Sequence, residues 1–311
     1  MMFKNSLKLF VANFSVFWKL LLYKIIIIGI CVSLLIPTFK YWGESLESVN
    51  FAEMLTNFAT KTIFLNISNL LNNLFLLVDA FCEAISIMTN SYLFMFLYTL
   101  FVVLIVLPFL FGLSSIPTGE GLYSYMASLS KSSFMATFVS KLGVSCVYSI
   151  CRTLITLPFV VLFVLGAYWI LYLTTLSGLI QVFLPIIFVI YFVFMVTLIL
   201  TTLCGWMPAT VVFNINPTKS FFKGLKAVFR RYFRVFSSIF VIIFFATLFS
   251  LMLTSFSLIV LLPLTSVAIL MLEMVMFFES QGMRYYVDLD SIVSPKKLEQ
   301  CDKFNKVKNI I

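Results

Sequence analysis

Of the 311 residues, 62% are hydrophobic, 17% aromatic and only 11% charged, where soluble domains carry about 25% charged residues. A chain this apolar has too few polar side chains to face water and belongs in a membrane. The net charge is +9 and histidine is absent, which excludes histidine-ligated zinc, the HExxH metalloprotease pattern and any Ser-His or Cys-His catalytic pair. The six cysteines, at 31, 82, 146, 151, 204 and 301, include no C-x-x-C spacing. Five lie in or beside apolar segments, where a thiol packs as a small hydrophobe, so neither a disulfide framework nor a metal site is read.

A bilayer core needs roughly 20 apolar residues per helix, and the uncharged intervals of the chain place the crossings. Lys24 to Lys40 encloses 15 uncharged residues, Glu83 to Glu120 encloses 36, Arg152 to Lys219 encloses 66 and Arg234 to Glu273 encloses 38. The first holds one helix, near 20–37, if Lys24 snorkels toward the nearer interface; the second holds one, near 92–114. The polar cluster Thr174, Thr175, Ser177, Gly178 and Gln181 divides the third into helices near 150–172 and 179–204. Thr254, Ser255 and Ser257 divide the fourth into helices near 236–254 and 257–278.

Charge orients these six. With the N-terminus inside, 17 basic residues fall on the inner side, while Lys40 and Lys61 fall outside among Glu44, Glu47, Glu53, Asp79 and Glu83. Cytoplasmic loops carry excess Lys and Arg, so both termini are read as cytoplasmic in a multi-pass protein of a bacterial cell membrane. Tryptophans prefer membrane interfaces: Trp18 and Trp206 fall at inner ends, Trp42 and Trp169 at outer ends. The first segment lacks an A-x-A cleavage site and reads as an uncleaved anchor.

The extracytoplasmic segment 41–90 is amphipathic, with Ile67, Leu71, Leu74, Val78, Phe81 and Ile85 on one helical face. Asn66-Ile67-Ser68 matches a glycosylation acceptor, without meaning in a bacterial protein. On the inner side an elbow repeats. Phe3, Lys4, Phe10, Phe14, Val16 and Phe17 align with Phe222, Lys223, Phe229, Phe233, Val235 and Phe236, and Lys131, Ser132 and Phe134 align with Lys219, Ser220 and Phe222. Even-numbered helices end near Gly112, Gly205 and Gly282, which read as C-terminal caps. Lys219, Lys223, Lys226, Arg230 and Arg234 recur at spacings of 4, 3, 4 and 4, a basic face of one helix that starts at Asn216, Pro217 and Thr218 with Thr218 as cap. This face is the candidate partner of anionic lipid head groups.

The chain is therefore read as an all-α, polytopic integral membrane protein, its six transmembrane helices forming three hairpins, each preceded by an amphipathic interfacial elbow helix. Residues 1–278 form one transmembrane domain, and 279–311 a cytosolic tail with a mixed-charge helix from Ser294-Pro295 onward. Glu273 and Arg152 are the ionisable residues read inside the membrane and are candidate partners in an ion pair. Gly119-Glu120-Gly121 reads as a loop turn. Asp288 and Asp290 have strand-face spacing and too few companions for a calcium loop.

The elbow-then-hairpin arrangement, with a Lys-x-x-Phe start at Lys131 and Lys219, resembles bacterial six-helix membrane proteins related to the membrane domain of glycerophosphodiester phosphodiesterases. The resemblance covers most of the chain as architecture. The hydrolase domain is absent, so it implies no catalytic residue. No catalytic constellation, cofactor, metal or nucleic-acid partner is read from the chain. The expected function is non-enzymatic and transport-related, a permease or transporter accessory; the alternative is a lipid-interacting scaffold of the cell envelope.

Overall fold

Six apolar stretches set the architecture. A computed structural model describes residues 2–62, 67–176, 178–252, 255–288 and 291–294, and nearly all of them are helical. Six helical stretches are long and apolar enough to cross a membrane: Ser15–Ser48, Leu93–Ser128, Leu142–Ile170, Ile186–Phe213, Tyr232–Ser250 and Pro263–Gln281. Helices satisfy every backbone donor and acceptor internally, as hydrocarbon requires, so the chain is a multi-pass membrane protein.

In chain order, α1 (Met2–Ala12) turns at Asn13 into α2 (Ser15–Ser48), followed by α3 (Phe51–Thr62) and α4 (Ile67–Ser91). Then come α5 (Leu93–Phe101), a π-helical turn Val102–Val106 just ahead of Pro108, α6 (Leu107–Leu113) and α7 (Ser115–Ser128). The short α8 (Phe134–Ser140) leads into α9 (Leu142–Leu176), and α10 (Gly178–Leu203) into α11 (Trp206–Phe213). Another short helix, α12 (Pro217–Phe229), precedes α13 (Tyr232–Met252), and α14 (Ser255–Gln281) ends in the antiparallel pair β1 (Tyr285–Asp288) and β2 (Ser291–Val293). This pair departs from an all-helical chain. Tyr285 and Val287 supply β-favouring side chains that alternate inward, both about 1% exposed. Asn66, Ser177, Thr254, Asp290 and the whole expected tail helix lie outside the described residues, as do the side chains of Lys61, Leu71, Leu74, Val78 and Gln181.

Two helices outgrow the expected spans. At about 1.5 Å per residue, α2 and α9 are each roughly 50 Å long, longer than the ~40–45 Å of a whole bilayer with its head groups. The first crossing was placed to end at Pro37, but α2 runs through that proline to Ser48.

The described residues form two compact units. One is built from Ile27–Pro108 and Val160–Tyr191. There α3 and α4 pack together, and Val49, Ala80 and Ala84 make a small core with Leu46, Phe51, Met54 and Ile87 around it. The packed face of α4 is Leu77, Ala80, Ala84 and Met88, whereas Phe81, read from spacing as part of the apolar face, is 44% exposed. Alanines let the helices approach more closely than the larger apolar set would. Trp42 Nε1 donates to Thr99 Oγ1 at 3.1 Å, and the Tyr92 hydroxyl donates to Glu44 Oε2 at 3.1 Å. That bond to a carboxylate, together with its charge, pushes the Tyr92 phenol up. Gly166 lies against the Tyr191 hydroxyl, which donates to the Phe163 carbonyl at 2.9 Å.

The other unit combines Met1–Ile26, Phe109–Phe159 and Phe192–Ile311. Its centre is the second half of α14, whose residues Met271, Leu272, Met274, Val275, Met276 and Phe277 are fully enclosed. Helices α1, α7, α11, α12 and α13 pack on α14. A helix apolar on nearly all sides is stable in such an enclosed position or in hydrocarbon. α1 divides its faces: Met2, Asn5, Ser6 and Leu9 are buried on the protein, while Phe3, Leu7 and Val11 are exposed.

Candidate functional site

Glycines bring α11 against α12 and α6 against α9 around the site. A Cβ on Gly205 would collide with the Gly224 carbonyl oxygen, and one on Gly224 with the Gly205 carbonyl oxygen, so α11 and α12 meet backbone to backbone. Gly112 lies inside α6 against the Ser149 hydroxyl, which itself donates to the Phe109 carbonyl. Both were read as helix caps; both are packing glycines. Gly282 does cap α14. Its φ is +70°, and Met283 N donates to Phe278 O at 3.0 Å, the long closing bond of a Schellman turn.

Two further expectations are corrected nearby. Gly119-Glu120-Gly121 is not a loop turn but the middle of α7, where Gly119 makes room for Met207 and Val211. Trp206 is 2% exposed and its Nε1–H donates to the Pro217 carbonyl at 2.7 Å, so it is a packing residue rather than a lipid-facing anchor. The ring sits edge-on to both Tyr148 and Phe221.

Within this frame α9 and α14 place the charges. Glu273 is 6% exposed. The Arg152 charge reaches it through space, and Tyr148 and Cys204 are its other electrostatic neighbours. Glu273 and Arg152 are thus brought together but not into the expected ion pair: among the described residues neither has a carboxylate-to-cation contact of 4 Å or less. Arg152 Nη1 instead donates to Ser115 Oγ at 3.2 Å, and its guanidinium stands 6.0 Å from the Tyr148 ring centre. The sequence reading missed a third member. Lys24 was expected to snorkel to the interface; its ammonium instead donates to Ser266 Oγ on α14 and lies 5.4 Å from the Phe111 ring centre. Its charge bears on Arg152. The cluster therefore holds two cations and one carboxylate, each cation held by a hydroxyl. A signal was available: Lys24 alone interrupts an otherwise apolar run.

Six residues beyond Glu273 on the same helix, Glu279 is fully engaged. Arg231 Nη1 donates to its Oε2 at 3.0 Å, and Arg231 Nη2 to its backbone oxygen at 3.2 Å. The Tyr285 hydroxyl donates to Glu279 Oε1 at 3.1 Å and accepts from Asn5 Nδ2 at 2.9 Å. Burial and the Glu279 carboxylate push the Tyr285 phenol well up, which keeps it a donor. With Lys8 3.7 Å from Asp288, this network ties α1, β1, α14 and the α12–α13 turn together. Arg231 is in the sequence one of the 17 basic residues that orient the helices and falls between the periodic cations, so spacing alone does not single it out.

The basic face is interrupted. Lys219, Lys223 and Lys226 lie on α12, Arg230 is its C-cap residue, and Arg234 stands in the first turn of α13, beyond a turn at Arg231. The five cations do not share one helix. All five are exposed, as are Phe222 and Phe229, because α12 packs inward through Pro217, Ser220, Gly224, Ala227 and Val228. Small residues at those positions give the helix its close seat on α11. The N-cap is Asn216, with Pro217 as the first helical residue, in place of Thr218. Lys223 Nζ stands 4.9 Å from the Phe213 ring centre.

A small cavity of about 180 Å³ opens between α7, α9 and the end of α11, lined by Glu120, Lys141, Thr210, Asn214 and Asn216 among others. Lys141 bridges Glu120 at 3.2 Å and Asn214 Oδ1 at 3.0 Å. No group of three or more metal-ligating side chains occurs among the described residues. Comparison of the chain with protein-family models, with curated proteins and with solved structures finds no match.

Proposed function

We propose that this multi-pass protein is transport-related, a permease or transporter accessory working through the Lys24, Arg152 and Glu273 cluster. The observation that carries the reading is that the two cations, within spans of one compact unit, are held by hydroxyls and by an aromatic ring rather than closed on the Glu273 carboxylate. A charge at such depth costs several kcal/mol and is retained where it meets a ligand, an ion or a water path. A purely structural cluster gains most by direct pairing, as Arg231 and Glu279 do. No enzymatic role is proposed.

The reading includes an arrangement: three hairpins, each entered through a short inner-face helix (α1, α8 and α12), with both termini cytoplasmic in a bacterial membrane. Its support is the charge asymmetry and the position of those short helices directly before α2, α9 and α13. The likeness to the membrane domain of glycerophosphodiester phosphodiesterases belongs to the same proposal and rests on that arrangement alone. The scaffold reading is favoured by one observation, the exposed aromatics beside exposed cations on α12 and α13.

Cys204 is fully enclosed and electrostatically coupled to Glu273, so it reports on access. In a variant whose other cysteines are replaced by serine or alanine, a charged, membrane-impermeant thiol reagent should label Cys204 in sealed vesicles, and Glu273→Gln should change the rate. A thiol inert over hours in both forms would leave a dry interior and sink the transport reading.

A further inference from the structure

We propose that the turn between α12 and α13 is a binding site for the phosphate of an acidic phospholipid. Consecutive residues Phe229 to Arg234 close around an open-sided concavity of about 740 Å³. Three of them are arginines with unequal employment. Arg231 is committed to Glu279 at 3.0 Å. Arg230 and Arg234 are exposed, and among the described residues their side chains make no hydrogen bond or ion pair. Two free guanidinium groups on either side of one turn offer paired N–H donors that match phosphate oxygens.

The apolar lining says what else the ligand carries. Phe229 is 63% and Phe233 85% exposed, far too much aromatic surface to leave in water beside two guanidinium groups. Tyr232 stacks on Phe229 with ring centres 5.9 Å apart and on Phe236 at 6.1 Å, so the wall is already formed. A free phosphate would use the arginines and leave the rings bare; a phospholipid covers both, with its phosphate on the arginines and its glycerol and upper acyl chains on the rings. Chain position places the site at head-group depth whichever way the helix runs, because Tyr232 opens the apolar stretch Tyr232–Ser250. An acidic head group is specified by charge: of the three arginines lining the concavity only Arg231 is neutralised, and a zwitterionic lipid would bring its own cation there. The proposal rests on α13 crossing the membrane and not on the transport reading.

The test is native mass spectrometry of the full chain released from vesicles of phosphatidylcholine with or without phosphatidylglycerol. Wild type should retain phosphatidylglycerol in preference to phosphatidylcholine. Arg230→Lys with Arg234→Lys, which preserves charge, should lower that retention about tenfold, with each single variant intermediate, because an ammonium cannot copy the fork. Lys219→Gln with Lys223→Gln removes two charges outside the concavity and should change retention less than about twofold. Wild-type retention by the double lysine variant, or equal loss in both double variants, would reduce the turn to a count of charges and overturn the site. Displacement of the retained lipid by millimolar inorganic phosphate would overturn the lipid as its ligand. Resistance of every variant to alkaline extraction from membranes reports separately on the span itself.

Discussion

Two carboxylates on one helix, Glu273 and Glu279, meet arginines in opposite ways. Glu279 accepts from Arg231 and Tyr285, and its backbone oxygen takes a second bond from the same guanidinium. Glu273, the more deeply enclosed of the two, makes no ion pair among the described residues and feels the charge of Arg152 through space, while Arg152 Nη1 donates to Ser115. Geometry rather than composition separates them. Arg231 stands at the break between α12 and α13, where a turn aims it at the end of α14, whereas Arg152 lies mid-helix with Tyr148 on the turn before it. The first arrangement is a latch holding α1, β1, α14 and the α12–α13 turn together; the second leaves its charges near one another without closing them into a pair.

The hardest blow to both regions should come from the contact that seats α12. Gly205→Ala forces two backbones apart, and overpacking of this kind costs about 3 kcal/mol or more when no side chain can yield. Unfolding midpoints in mild detergent should fall further for this variant than for any charge substitution below; an unchanged midpoint would mean that the backbones do not meet there.

Arg231→Gln tests the latch next. Charged hydrogen bonds are worth about 1.5–3 kcal/mol, and with Arg231 about one-third exposed solvent screening lowers the expected loss to about 1–2 kcal/mol. A double-mutant cycle with Glu279→Gln should show coupling, because the two share their bonds. Additive losses would dissolve the latch.

A smaller effect is expected from Tyr285→Phe, about 1 kcal/mol for the bond lost to Glu279, with Asn5 left without its acceptor. The sign of its pH dependence follows from the raised phenol. The folded state holds the proton more tightly than the unfolded chain, so the tyrosine contributes fully below about pH 10 and loses that contribution as pH rises toward the folded value. The difference between wild type and Tyr285→Phe should therefore be flat from neutral pH to about 9.5 and shrink above it.

Smallest in stability, and most telling for the comparison, is Glu273→Gln. With no ion pair to break, the amide should lower the unfolding free energy by less than about 0.5 kcal/mol or stabilise slightly, since a neutral group is easier to bury. Cys204 labelling should nevertheless change. A loss as large as that of Arg231→Gln would make Glu273 a second latch.

The crossings were legible in the sequence because hydropathy and charge spacing are local properties. The start of α10 at Gly178, beside the polar cluster at 174–181, follows directly from them. The site was legible only in part. Arg152 and Glu273 stood out as ionisable residues in apolar surroundings, and the structure does place them near each other; what each side chain bonds depends on neighbours from other helices. Lys24 had two routes open to it, up its own helix to the interface or across to Ser266, and only the packing of α2 beside α14 selects the second. The basic periodicity 219, 223, 226, 230 and 234 is real in the sequence, but periodicity assumes an unbroken helix and does not register the turn at Arg231.

By itself, then, the sequence determined that this chain lives in a membrane, that apolar helices cross it and that cations gather beside particular helix starts, since each follows from the transfer of local stretches between water and hydrocarbon. Tertiary structure alone decided that Gly205 meets the backbone of Gly224, that Trp206 is enclosed, and that one carboxylate of α14 is latched while the other is buried without an ion pair among the described residues. The reason is physical: a glycine, an indole or a carboxylate takes its role from the atoms brought within a few ångströms of it, and those come from parts of the chain tens to hundreds of residues away.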